Sequence, residues 1–359
     1  MPEREDLAHR RAALARSGAA ATALLRPWLV ADIGGTNARF GWVGESTHTV
    51  SHVATLPAAG HPGPADAAAH YLAGLALTLG STYRPPRAAA FAVATVVGGD
   101  GIAFTNSTWA FSRREAQAAL GLDELLVLND FEALALSLPR LQATQVRAWP
   151  GGATAVNGAA MAVIGPGTGL GVAGLVPAGG GGWVAVPGEG GHATLSAADD
   201  FDAALLAEVR REHAHVSAER LLSGIGLPVL HAAVMAVMAV MDRGAAPVTL
   251  VAPLATELIV ERGLSGQCAA CSRTLDAFCA LLGGYAGNVA LVFGARGGVY
   301  IGGGIVPRLG ERFFQSAFRE RFEAKGRFRA YLQAIPTLLI TDTLAALNGG
   351  VQALEKYRR

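Results

Sequence analysis

Lysine is almost absent from this chain. Among 359 residues only Lys325 and Lys356 occur, and neither follows a glycine-rich loop. A Walker-type phosphate loop requires Gly-Lys-Ser/Thr and a protein-kinase site requires a lysine on a strand, so both are excluded. Any phosphate held here must rest on backbone amides, hydroxyls and a metal ion. Cysteine is nearly as scarce: Cys268, Cys271 and Cys279 are too few for a disulfide framework and fit a reducing compartment. Cys268-Ala-Ala-Cys271 has metal-ligand spacing, but a structural zinc site takes four ligands and no second pair exists. Buried or half-buried thiols are expected instead.

Charge of one sign is missing too. The net charge is +1, which leaves no footprint for nucleic acid or an anionic membrane. The longest apolar run read from the sequence, Val229 to Met241 with His231 inside it, falls short of the ~20 residues that span a bilayer. Residues 1–27 mix acids, arginines and alanines without the apolar core of a signal peptide, and are read as an N-terminal extension. The expected location is the cytoplasm.

What the chain does have is apolar sequence and glycine. Hydrophobic residues make up 51%, enough for two domains with full cores. Leu29 to Val43 is an apolar run, a turn carrying Asp32, Gly34, Gly35 and Thr36, and a second apolar run. It predicts a hairpin whose glycines admit φ > 0 and let a phosphate approach backbone N–H groups. Strands are predicted over His48–Leu56 and Ala88–Val97, the latter apolar enough to be buried on both faces, and a helix over Pro64–Leu79. Thr105-Asn106-Ser107-Thr108-Trp109 interrupts, and Ser112 reads as the cap of a helix to Leu120. Leu125-Leu126-Val127-Leu128 reads as a buried strand ending in Asn129 and Asp130, with a helix over Phe131–Leu138.

Residues 138–157 read as a crossing between domains. Beyond them the pattern recurs: strand Ala159–Ile164, turn Gly165-Pro166-Gly167-Thr168-Gly169, strand Leu170–Val176. This unit resembles 29–43 in kind and predicts an internal duplication. Trp183–Pro187 is strand-like, helical patterns dominate Ala198–Leu291, and Val299 runs into Gly302-Gly303-Gly304. A helix is predicted from Pro307 to Ala324, with proline in its first turn. A strand at Thr337–Thr341 and a helix at Leu344–Tyr357 close the chain. The expected domains are a smaller one, 28–140 plus about 342–359, and a larger one, 141–341.

Asp130 is the leading catalytic candidate. A carboxylate at the carboxyl end of a strand, directly before a helix, lies where open α/β sheets bind ligands, and there it could take a proton from a hydroxyl nucleophile. The other reading is a helix N-cap, though Asn129 beside it makes one polar residue more than a cap requires. Glu189 and His192 sit among Gly188, Gly190 and Gly191, a sequence costly to order and suited to sugar hydroxyls. Glu219 alone reads equally as a solvated side chain. The three glycine turns, with Asp32 and Asp130 at strand ends, suggest a nucleotide clamped between two related domains.

Leu29–Val43, Leu126–Ala133, Ala162–Gly171, Gly188–His192, Ser217–Leu227 and Gly297–Pro307 together resemble the bacterial glucokinases, within the superfamily of hexokinase, actin and the heat-shock chaperones. The resemblance implies a two-domain α/β fold of the actin-like ATPase (ribonuclease H-like) kind, with mixed sheets flanked by helices and a cleft between domains. It implies phosphoryl transfer from ATP to the 6-hydroxyl of glucose. On that resemblance Asp130 takes the sugar proton, while Asn129, Glu189, His192 and Glu219 bind the other hydroxyls. Ala31, Asp32, Ile33, Gly34, Gly35 and Thr36, with Gly167, Thr168 and Gly169, hold the phosphates. Gly302, Gly303 and Gly304 lie by the adenosine, and Asp32 orients Mg²⁺ through water. The partners implied are glucose and MgATP, with neither nucleic acid nor membrane, in a homodimer.

Two features depart from the pattern. The extension before Leu29 has no counterpart in shorter members, and the cysteine-rich zinc motif of the related repressor/open-reading-frame/kinase group is missing. The alternatives are a kinase of the same fold for another hexose or with polyphosphate as donor, a sugar-sensing regulator, and an actin-like filament protein.

Overall fold

The computed structural model describes residues 26–45, 49–104, 108–241 and 254–358. The expected extension lies outside these but for Arg26 and Pro27, as do His48 and the polar residues 105–107. The chain divides into two units, Met1–Arg140 with Thr343–Arg359, and Leu141–Asp342.

In the first unit the hairpin forms as β1 (Trp28–Ile33) and β2 (Asn37–Val43), followed by β3 (Ser51–Pro57), β4 (Ala88–Val93), a small pair β5 (Gly101–Ala103) and β6 (Ala110–Ser112), and β7 (Glu124–Asn129). The main sheet has the order β3-β2-β1-β4-β7. Its first three strands are antiparallel, while β1, β4 and β7 run parallel. Because successive side chains alternate faces, β1 splits its apolar residues between two layers. Leu29, Ala31 and Ile33 join Phe40, Phe91 and the helix Pro64–Leu79 on one side. Trp28 and Val30 join Leu347, Val351 and Leu354 of the helix Ala345–Arg358 on the other. Each fully buried Leu, Ile or Phe in these layers contributes about 1.5–3 kcal/mol.

The strand before Asp130 differs from expectation. It lies at the sheet edge, and Leu126, Val127 and Leu128 are only half-buried. An edge strand has a neighbour on one side only, so four apolar residues in a row do not become core on both faces. The helix it feeds, Asp130–Ser137, is pinned from behind: a Cβ at Gly349 would run into the Ala133 carbonyl. Glycine at position 349 thus lets the last helix approach at backbone distance.

The second unit repeats the plan. Strands β8 (Val146–Ala148), β9 (Met161–Pro166), β10 (Leu170–Pro177), β11 (Trp183–Gly188), β12 (Val299–Ile301) and β13 (Thr337–Ile340) form a sheet of order β11-β10-β9-β12-β13-β8. Without β8, each sheet is an antiparallel three-strand meander whose first strand continues into two parallel neighbours. The duplication expected from the glycine turns is therefore present in topology. Strand β8 falls in the stretch read as a crossing, and its three residues carry too little pattern to announce it.

Two helices also depart from the reading. The single helix expected over Pro307–Ala324 is three pieces, Val306–Leu309, Glu311–Gln315 and Phe318–Glu323. Gly310, at φ 55°, and extended Ser316 break it, which lets Phe313, Phe318 and Phe322 all turn inward. Among the described residues the longest apolar helix is Ala269–Phe293, long and apolar enough by length and composition to cross a membrane. Here it is a core helix, with Leu275, Phe278, Leu282 and Ala286 fully buried.

Candidate active site

In the first unit, backbone register collects the candidates at one sheet edge. Ile33 pairs with Val93 and Val93 with Asn129. With strands ~4.8 Å apart, the Asp32–Thr36 turn and Asp130 leave the sheet about 10 Å from each other. The turn is closed by the Gly34 N–H donating to the Asn37 carbonyl at 2.9 Å. Contrary to expectation, neither Gly34 nor Gly35 is among the glycines with positive φ. What glycine does there is leave the amides uncovered.

Asp32 is half-buried, and burial pushes its carboxyl above the usual range, with the Arg39 guanidinium opposing. Arg39 faces it directly from β2 and is tied back through its Nη1 to the Thr343 carbonyl at 2.5 Å. Sequence reading missed Arg39. Only the hairpin register, in which Asp32 and Arg39 form the pair next to Ile33 and Ala38, could have matched it with Asp32. A half-buried carboxylate at a strand end offers oxygen ligands of the kind that a divalent cation takes together with water.

The helix cap proves to be Asn129. Its Oδ1 accepts the N–H groups of Phe131 at 2.9 Å and Glu132 at 3.3 Å, and its Nδ2 donates to the Thr95 carbonyl at 3.2 Å. Glu132 stands at the third position of the helix that Asn129 caps. Asp130 is therefore the first helical residue rather than the cap, half-buried, with Oδ1 receiving the Phe131 N–H at 3.0 Å.

Glu132 escaped the sequence reading. Burial pushes its carboxyl above the usual range, against the Asn129 N–H and Lys356. A raised folded-state pKa means the group's stabilisation is complete below the unfolded value of ~4.3 and is lost as pH rises through the folded value. Glu132→Gln mimics the protonated form and keeps the side chain's shape and the backbone N–H that Asn129 caps. Its melting temperature should exceed that of the wild type at pH 8, with the gap closing by pH 5. Calorimetry at the two pH values checks this, and a less stable variant at pH 8 would contradict it.

In the second unit hydrogen bonds and close backbone contacts bring the candidates together. Glu219 accepts the Leu170 N–H at 2.8 Å, and its other oxygen lies 3.8 Å from His192 Nε2. The Glu219 N–H donates to the Gly191 carbonyl at 2.8 Å, which sets Glu219 against the loop of Glu189 and His192, both exposed. The Gly167–Gly169 turn closes on itself at 2.8 Å and is braced by the Gly224 N–H donating to the Gly167 carbonyl at 2.7 Å. Gly302 N–H donates to the Ile164 carbonyl at 2.8 Å. Gly303, at φ 77°, comes so close to the Pro166 carbonyl that any side chain would collide, so the last two glycine turns are neighbours. Tyr285, on the core helix, was also missed. Its hydroxyl donates to the Gly190 carbonyl at 2.5 Å, and burial pushes its pKa up to about 12, so it stays a donor.

Residues 29–357 match the family model described as Glucokinase. The chain belongs to the glucokinase family. A glucokinase of Paramagnetospirillum magneticum is 46% identical over 321 residues, 89% of this chain and 95% of the relative. The crystal structure of a glucokinase from an Antarctic psychrotroph is 36% identical, covers 92% of this chain and 99% of its own, and superposes with a TM-score of 0.79. A ROK family glucokinase from Streptomyces griseus, solved with glucose and AMPPNP, shares the fold at a TM-score of 0.61 and 19% identity, covering 92% of this chain and all of its own. The duplicated sheets are those of the actin-like ATPase fold. Glucokinases are ATP-dependent glucose kinases, and that is the activity this membership gives the chain.

Proposed function

We propose that this glucokinase moves the γ-phosphoryl group of MgATP to the 6-hydroxyl of glucose with Asp130 as general base. The observation that carries the assignment is the Asn129 cap. With Asn129 as cap, Asp130 stands one residue into the helix, at the carboxyl edge of the parallel strands, where ligands of open α/β sheets bind. Deprotonating the hydroxyl as it attacks is the work such a carboxylate performs in phosphoryl transfer.

Glu189, His192 and Glu219, with Asn129, take the remaining sugar hydroxyls. A hexose that lacks one leaves a polar group unpaired, which is how such a site discriminates. The open backbone of Ala31–Thr36 and of Gly167–Gly169 holds the phosphates, and Gly302–Gly304 borders the adenosine. Asp32 would hold Mg²⁺ through water, and the ion supplies charge neutralisation that lysine supplies in other kinases. The same reading makes the enzyme a cytoplasmic homodimer, which sedimentation of the purified chain tests.

Glucose-dependent release of ADP from MgATP tests the reaction itself. Turnover with glucose well above that with fructose or N-acetylmannosamine, and with ATP above polyphosphate, is expected. Turnover only with another hexose or donor would overturn the reading. Tyr285→Phe should raise KM for glucose about 2- to 10-fold with kcat little changed, the worth of one neutral hydrogen bond of ~0.5–1.5 kcal/mol holding the sugar loop. Steady-state kinetics over glucose concentration checks it, and an unchanged KM would release Tyr285 from the role.

A further inference from the structure

The core helix Ala269–Phe293 begins with two thiols that the glucose kinase activity does not use. Cys268 is its N-cap, and the Cys268 Sγ accepts the Cys271 N–H at 3.3 Å. Cys271 stands three residues on, and the bond from its N–H to the Cys268 sulfur sets both cysteines at the first turn of the helix. Cys268 is half-buried while Cys271 is buried. The pair is therefore asymmetric: one sulfur is reachable from solvent and the other stands behind it.

The electrostatics follow the geometry. The Cys271 N–H, the Cys271 thiol, the Ala270 N–H and the Arg262 guanidinium on the preceding helix all favour a thiolate at Cys268, whose pKa falls below the usual thiol range. Burial and the neighbouring Cys268 push Cys271 up to about 12. A thiolate at a helix N-terminus beside an arginine is the arrangement that makes a cysteine nucleophilic, and a second thiol three residues on can resolve what it forms. Cys279, buried and likewise pushed up to about 12, is an unreactive internal reference.

We propose that Cys268 and Cys271 form a redox-active dithiol that exchanges with small-molecule disulfides such as oxidised glutathione. The Cys268 thiolate attacks one sulfur of the glutathione disulfide. A Cys268–glutathione bond forms, the glutathione S–S bond breaks, and one glutathione thiolate leaves. Cys271 then loses its proton and attacks the Cys268 sulfur, which forms the Cys268–Cys271 bond and expels the second glutathione. The protein loses two protons and two electrons, and one glutathione disulfide becomes two thiols. Reduced glutathione in excess reverses both steps. Tyr285, the helix's link to the sugar loop, lies 17 residues beyond Cys268, or about 25 Å along the axis, so exchange leaves glucose phosphorylation intact.

Incubation of the full chain with oxidised glutathione, followed by mass spectrometry of the quenched protein, tests this. The wild type should lose two hydrogens and give a Cys268–Cys271 cross-linked peptide, reversed by reduced glutathione. Cys271→Ser should instead retain one glutathione on Cys268. Cys268→Ser, which keeps a favoured N-cap, should acquire none over the same time, and Cys279 should stay free in all three. A stable wild-type adduct without the internal bond, equal reaction of Cys268→Ser, or no reaction of the wild type would each overturn the proposal. Undiminished glucose-dependent ADP release in both variants certifies that the proteins compared are folded.

Discussion

Asp130→Asn lowers kcat for glucose phosphorylation by about 10²- to 10⁴-fold, the contribution of a positioned general base, and leaves KM for glucose and ATP within a few-fold of the wild type. Asparagine is nearly isosteric, and its side-chain oxygen can still accept the Phe131 N–H that Asp130 Oδ1 holds at 3.0 Å. The helix cap is untouched, because it belongs to Asn129. What the change removes is the ability to accept a proton. The two readings of this carboxylate thus separate: were Asp130 there for the helix, asparagine would serve as well and kcat would stand. Turnover of Asp130→Asn within tenfold of the wild type, with an unchanged melting temperature, would end the assignment. Asp130→Ala should match the loss in kcat and add a small loss of stability.

Much of this site could be read from residue order, and what could not has a common cause. The hairpin Leu29–Val43, the doubly buried β4 and the helix Pro64–Leu79 were legible because each depends on local pattern: a double glycine between apolar runs, six apolar residues together, and alanines and leucines between Gly63 and Gly80. The polar pair after β7 was legible in the same way. It marked a cap and one residue more, although which residue was which took the hydrogen bonds to decide. The missed partners all act at a distance or through register. Arg39 meets Asp32 only when β2 is laid against β1, and Tyr285 reaches Gly190 across 95 residues of chain. The break at Gly310 and Ser316 went unread as well, although the glycine is a local signal; the inward turn of three phenylalanines that the break permits shows only in the packing. Half-burial of β7 followed from its place at the edge, which four apolar letters do not encode.

Glu219→Gln lowers kcat/KM for glucose by about 10- to 100-fold, the ~1.5–3 kcal/mol typical of a hydrogen bond to a charged group. Glutamine keeps the shape and an oxygen for the Leu170 N–H, now 2.8 Å from the carboxylate, so the loop framework survives. It removes the anion that faces His192 at 3.8 Å and the full acceptor strength offered to a sugar hydroxyl. Glu219→Ala should do more, because it also leaves the Leu170 N–H without its partner, at a cost of about 1–3 kcal/mol in stability. Comparing the two variants divides bracing from binding. A panel of monodeoxyglucoses then identifies the hydroxyl concerned. The sugar that lacks it should be phosphorylated almost equally by the wild type and by Glu219→Gln, whereas every other sugar should show the full loss. Equal losses across the panel would mean that Glu219 only braces the turn after Gly169, and its place among the sugar ligands would be withdrawn.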